Sequence, residues 1–154
     1  TTPDVKEKKM SNMIKDDEMT VSVHIDEIEC EGKVIYQWYY NHMAGDGISI
    51  GVPKSVRKIK FILDDTSKAL YTLSMPEITP KRGEAGYYED LLIPTESGLQ
   101  VGDHILVHDG QINTGVTVGS VTLRMTLRNG QFGSNVDQNT ISSDPEVINT
   151  GKEA

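Results

Sequence analysis

The chain has 154 residues, 36% of them hydrophobic, with 14 glycines, 6 prolines and a net charge of −8 from 15 basic and 23 acidic side chains. That length suits one domain with its own core, and that composition suits short strands joined by turns better than a helical bundle. The acidity opposes binding to nucleic acid or an anionic membrane surface, and the single Cys30 excludes an intrachain disulfide and a cysteine-ligated zinc site.

No apolar run approaches the roughly 20 residues of a membrane span. Thr1–Lys9 is charged, unlike a secretory signal. The compartment stays open, with a reducing, cytoplasmic one preferred. Residues 1–19, rich in Lys6, Glu7, Lys8, Lys9, Asp16, Asp17 and Glu18, read as a flexible leader. The alternative is a short helix docking a stripe of Met10, Met13 and Ile14.

Residues 20–154 read as the folded domain. Val21, Val23 and Ile25 share one strand face, and Ile28 and Cys30 fall one residue out of phase, which predicts a β-bulge at Asp26-Glu27. Glu31-Gly32-Lys33 predicts a turn into a second strand, Val34–Tyr40. There Val34, Tyr36, Trp38 and Tyr40 alternate with Ile35, Gln37 and Tyr39. The rings of Tyr36, Trp38 and Tyr40 read first as core. The second reading takes Tyr36, Trp38, Tyr39 and Tyr40 together as a platform for a sugar or a protein partner, since such rings pair apolar faces with polar tips.

Gly45-Asp46-Gly47 reads as a turn, and Ile48, Ile50 and Val52 as a brief strand stopped at Pro53. Ile59, Phe61 and Leu63, then Tyr71, Leu73 and Met75, alternate on either side of Asp64-Asp65-Thr66-Ser67, so 53–75 reads as a hairpin. Residues 76–86, holding Pro76, Pro80, Gly83 and Gly86, read as a long connection. Leu91–Ile93 is a short run closed by Pro94; Thr95–Gly98 turns the chain toward Leu99, Val101 and His104–His108.

The clearest strand is Val121–Arg128, where Val121, Leu123, Met125 and Leu127 alternate with Thr122, Arg124, Thr126 and Arg128. Gly119 marks a bulge before it. Asn129-Gly130 is a two-residue hairpin signal, although Ser134–Thr140 beyond it is polar. Eight to nine strands predict an all-β, antiparallel two-sheet β-sandwich, with a closed β-barrel as the alternative.

On a strand, His104 and His108 stand about 13 Å apart, too far to share one metal ion. No calcium-loop spacing, nucleophile elbow, phosphate loop or dinucleotide fingerprint occurs, so no cofactor is implied and multi-turnover catalysis has no local support. One chemical motif remains. At Asp144-Pro145 the aspartate carboxyl can attack its own main-chain carbonyl, closing an anhydride and expelling the relatively basic proline nitrogen. Glu146 and Asp137 are the nearest proton donors in sequence. The plainer reading of Ser-Asp-Pro is a turn start.

Val121–Arg128, followed by Ser143-Asp144-Pro145-Glu146-Val147-Ile148-Asn149, resembles the closing stretch of the DP-EP family of small bacterial proteins, with Ile59–Tyr71 following the same pattern. The resemblance implies a β-sandwich and self-cleavage at Asp144-Pro145. Three functions follow from the sequence: a non-catalytic module contacting a protein partner or copies of itself, a self-cleaving protein, and a carbohydrate-binding module using Trp38 and its tyrosines.

Overall fold

The computed structural model describes residues 13–44, 48–80, 82–83, 86–87, 91–92, 101–112 and 115–153. The readings on residues 1–12, on Gly45-Asp46-Gly47 and on 93–100 lie outside the described residues. In chain order the strands are β1 (Ile14–Lys15), β2 (Glu18–Cys30), β3 (Lys33–Tyr40), β4 (Met43–Ala44), β5 (Ser49–Val52) and β6 (Lys58–Leu63), followed by one helical turn, α1 (Asp65–Lys68). Then come β7 (Tyr71–Pro80), β8 (Arg82–Gly83), β9 (Gly86–Tyr87), β10 (Leu91–Leu92), β11 (Val101–Gly102), β12 (His104–Asp109), β13 (Thr117–Leu127), β14 (Ser142–Ser143) and β15 (Glu146–Asn149).

The expected two layers are there. One sheet runs β10-β12-β6-β2-β3-β4, with β1 folded back on β2; the other runs β11-β7-β13-β15-β5, with β14 also on β13. Neither sheet closes on itself, so the barrel alternative falls. The sheets are mixed rather than antiparallel throughout: β2 lies parallel to β6, and β5 parallel to β15. Each parallel pair joins strands separated by a passage through the other sheet. Pleating then aims Val21, Val23, Ile59, Phe61, Ile105 and Val107 of one layer at Val52, Leu73, Val121, Leu123, Met125 and Val147 of the other. Each such buried side chain contributes about 1.5–3 kcal/mol relative to exposure.

Order begins before residue 20, the start read for the folded domain, because β2 starts at Glu18 and Met19 is buried. Asp16-Asp17 is the turn that folds Ile14 back opposite Met19. No bulge interrupts β2 at Asp26-Glu27; its register with β3 is unbroken from Val23 opposite Tyr40 to Cys30 opposite Lys33. The apolar phase slips there because β2 has run past the core, leaving Asp26–Cys30 exposed while Tyr36, opposite Glu27 on β3, stays buried. Of the predicted Glu31-Gly32-Lys33 turn, Glu31 and Gly32, both at positive φ, form the loop, and Lys33 already pairs with Cys30.

The 53–75 hairpin is also corrected. β6 and β7 lie in different sheets, and the Asp64–Ser67 stretch is a helical turn that crosses between them. Asp64 is its N-cap, accepting from the Ser67 backbone N–H. β7 continues to Pro80, absorbing half of the expected connection. The register shift of β13 falls between Thr122 and Arg124, not at Gly119, and opposite it β7 carries Pro76, which has no N–H to give a ladder.

Candidate functional site

The segment after β13 returns to it as a strap. β14 pairs Ser143 with Leu123, β15 pairs Glu146 with Ser120, and the Met125 N–H donates to the Ile141 carbonyl (3.0 Å). All three pairings share one antiparallel register, and Asp144-Pro145 occupies the gap between β14 and β15. The gap has a covalent cause: Pro145 has no donor for the ladder, although its carbonyl still accepts from the Val121 N–H (3.1 Å). Pro145 is buried and Asp144 exposed. The buried Ser120 hydroxyl points at the Asp144 carbonyl oxygen at 3.3 Å, longer than an ordinary hydroxyl–carbonyl hydrogen bond. A donor there polarises the carbonyl that an anhydride-forming attack would need. The two acids suggested as proton donors act as acceptors: Glu146 takes the Ser49 hydroxyl, and Asp137 takes the Asn139 N–H.

Three of the four rings form no open platform, and the fourth, Tyr39, is half-buried beside the His24 ring. Tyr36, Trp38 and Tyr40 are 4%, 3% and 0% exposed, so no sugar ring stacks on them without opening the core. What they hold is the protein's own strap. The Trp38 indole donates to the Thr140 carbonyl (2.9 Å), the Tyr36 N–H to the Thr140 hydroxyl (3.1 Å), and the Tyr40 phenol to the Ser143 hydroxyl (2.8 Å). Burial pushes the Tyr40 phenol well above its usual range, against the hydrogen bond to Ser143. Tyr36, pushed up to about 12 by burial and the nearby Glu27 carboxylate, donates to Glu27 (3.3 Å).

A serine, a histidine and two aspartates also converge, without being a nucleophilic triad. His24 on β2 places Nδ1 2.7 Å from Asp64 and Nε2 2.6 Å from Asp26. With a carboxylate on each nitrogen, neither is free to accept a proton from serine. Ser67 stands 3.4 Å from Nδ1, is 1% exposed, and accepts from the Ile25 N–H. The cluster therefore pins α1 to β2. Burial alone would lower the His24 pKa, but the hydrogen bonds and charges of Asp26 and Asp64 outweigh it and raise it. Burial would likewise raise Asp64, yet the Ser67 and His24 hydrogen bonds hold it below its usual value.

Sequence reasoning missed a second buried polar centre. Asn149 on β15 donates to Asp109 on β12 (2.8 Å), both buried, which ties the two sheets together. Gln111 adds its backbone N–H to the same carboxylate at 3.2 Å. Beside them lies an open cleft of about 310 Å³ lined by Arg57, Lys58, His108, Asp109 and Gly110. His104 and His108 do lie on a strand, opposite Ile62 and Lys58, as expected. Among the described residues no three histidine, cysteine or acidic side chains converge as metal ligands.

Together these features define a mixed two-sheet β-sandwich whose C-terminal strand is internal to its sheet. No model of a known protein family and no curated protein matches the chain. Among the described residues no helix is long and apolar enough to cross a membrane.

Proposed function

We propose that the chain is a non-catalytic β-sandwich module that contacts a protein partner through the overhanging β2–β3 hairpin. The observation that carries this reading is the run Asp26–Cys30, exposed at every residue while its pairing with β3 stays in register. Ile28, 42% exposed, sits at its centre opposite Ile35. The arm is braced: Val34 bridges to Val136, and the Asn135 amide donates to the Gly32 carbonyl (3.1 Å). A braced arm loses little freedom on binding, which favours affinity. Asp26, Glu27, Glu29 and Glu31 flank Ile28 along the chain against one Lys33, so the complementary surface is basic with an apolar recess.

Cross-linking mass spectrometry of the full chain in its native extract tests this. Partner lysines should concentrate on Asp26–Glu31, and Ile28→Lys should lose those links while keeping its fold. Links spread evenly and indifferent to Ile28→Lys would remove the hairpin reading. Concentration-dependent dimers that Ile28→Lys abolishes would make the partner a second copy.

A second reading is single-turnover self-cleavage at Asp144-Pro145, the activity implied by the DP-EP resemblance and favoured by the Ser120 hydroxyl on the Asp144 carbonyl. An Asp144 carboxylate oxygen would add to that carbonyl carbon. The bond to Pro145 would break as its nitrogen takes a proton from solvent, and water would open the anhydride to two carboxyl groups. Intact mass is decisive: wild type should yield 1–144 and 145–154, Asp144→Ala neither, and Ser120→Ala both more slowly. A single full-length mass in wild type after long incubation at neutral and mildly acidic pH ends this reading.

A further inference from the structure

Asn129-Gly130 is a strong turn motif that the described fold does not use as a hairpin. β13 ends at Leu127, and the chain returns to β13 only at Ile141, so no tight hairpin closes on this pair. Both residues are exposed and outside any strand, and Gly130 sits at φ +99° with open space where a Cβ would be. Among the described residues the Gly130 N–H makes no backbone hydrogen bond. The residue before them is fixed, because Arg128 donates its N–H to the Leu70 carbonyl and its Nε to the Lys68 carbonyl, each at 2.8 Å.

We propose that Asn129-Gly130 is a site of spontaneous deamidation, which sets a new carboxylate beside Glu27 at the root of the β2–β3 hairpin. The Gly130 nitrogen attacks the Asn129 side-chain carbonyl carbon. Ammonia leaves carrying the proton lost by that nitrogen, and a cyclic imide forms; water then opens the imide at either carbonyl to give aspartate or isoaspartate. The reaction needs a nitrogen free of a ladder and unhindered by a neighbouring Cβ, and glycine at this exposed bend supplies both. Asn129 lines a cleft of about 160 Å³ with Glu27, Leu70, Tyr71 and Leu127. A charge placed there faces Glu27, the carboxylate that already receives the Tyr36 phenol. The chemistry does not depend on what the hairpin binds.

The test is peptide mapping of the full chain after incubation at mildly alkaline pH. The peptide holding residue 129 should convert to two products with the mass of an amide-to-acid change, faster than those holding Asn135 or Asn139 and faster still at higher pH. Asn129→Gln should suppress it without disturbing the fold. Gly130→Ala should slow it several-fold, with circular dichroism checking that the strained bend still folds. The proposal is overturned if residue 129 stays intact in the folded chain while the urea-unfolded chain deamidates there, or if Asn135 and Asn139 convert equally fast. Asn129→Asp mimics one product and should lower the unfolding midpoint in a way that salt partly restores; a midpoint equal to wild type at low salt would overturn the charge contact with Glu27.

Discussion

The phenol of Tyr40 donates a 2.8 Å hydrogen bond to the hydroxyl of Ser143, joining β3 of one sheet to the strap on the other, one residue before Asp144-Pro145. Tyr40→Phe keeps the ring and removes the donor. It should cost about 1 kcal/mol, the net worth of one such bond. Trp38→Phe should cost more, since the Thr140 carbonyl loses its indole partner and the core loses volume. Urea unfolding of the two variants checks the order.

Asn149→Leu removes a buried donor from the buried Asp109 carboxylate. Hydrogen bonds to charged groups are worth about 1.5–3 kcal/mol, so this loss should exceed that of Tyr40→Phe. Thermal unfolding at neutral pH measures it. Asp109→Asn combined with Asn149→Leu should cost less than the sum of the single changes.

Stability should depend on pH through His24 and Asp64. His24 titrates in the fold above its ordinary 6.5, so its contribution is complete below that value and lost as pH rises through the raised pKa. Asp64 titrates below its ordinary 3.8, so its contribution is present above that value and lost as pH falls through the lowered pKa. The clamp is therefore strongest from about pH 4 to 6. His24→Gln should flatten the decline on the alkaline side and leave the Ser67 contacts of Asp64 in place, as denaturant midpoints across pH will register.

Gly32 occupies φ +79° in the turn of the overhanging hairpin. A Cβ there meets no neighbour, so Gly32→Ala is strained by backbone alone, at about 1–2 kcal/mol. The loss should fall on the arm rather than the core, so hydrogen exchange should quicken at Ile28–Ile35 while Leu123 and Met125 stay protected.

The layers were legible in the sequence wherever one strand face met the core: Val121, Leu123 and Met125 alternate as read, and so do Ile59, Phe61 and Leu63. Crossings were not. Asp64-Asp65-Thr66-Ser67 serves a hairpin turn and a helix N-cap equally well, and only the destination of Tyr71 decides between them. At Asp26–Cys30 the alternation fails because the strand leaves the core, and an exposed arm leaves the same trace in sequence as a bulge. The Asp144-Pro145 bond announces itself by its own chemistry. Ser120 does not, for it reaches the Asp144 carbonyl from 24 residues upstream, and Asn149 meets Asp109 across 40. Burial of Tyr36 and Trp38 depends likewise on the late strap around Thr140, which no local pattern discloses.

The place of β15 between β13 and β5 bears on how the protein is born. On the described residues β5 enters its sheet only through Glu146–Asn149, so a growing chain that has made Val52 must carry that strand unmated until those residues emerge. At about 5–20 residues per second the wait is roughly 5 to 20 seconds. Throughout it, β5 and the matching flank of β13 offer bare backbone to neighbouring nascent chains. Yield from cells should therefore respond to translation speed and chaperone supply more than the stability of the finished sandwich would suggest.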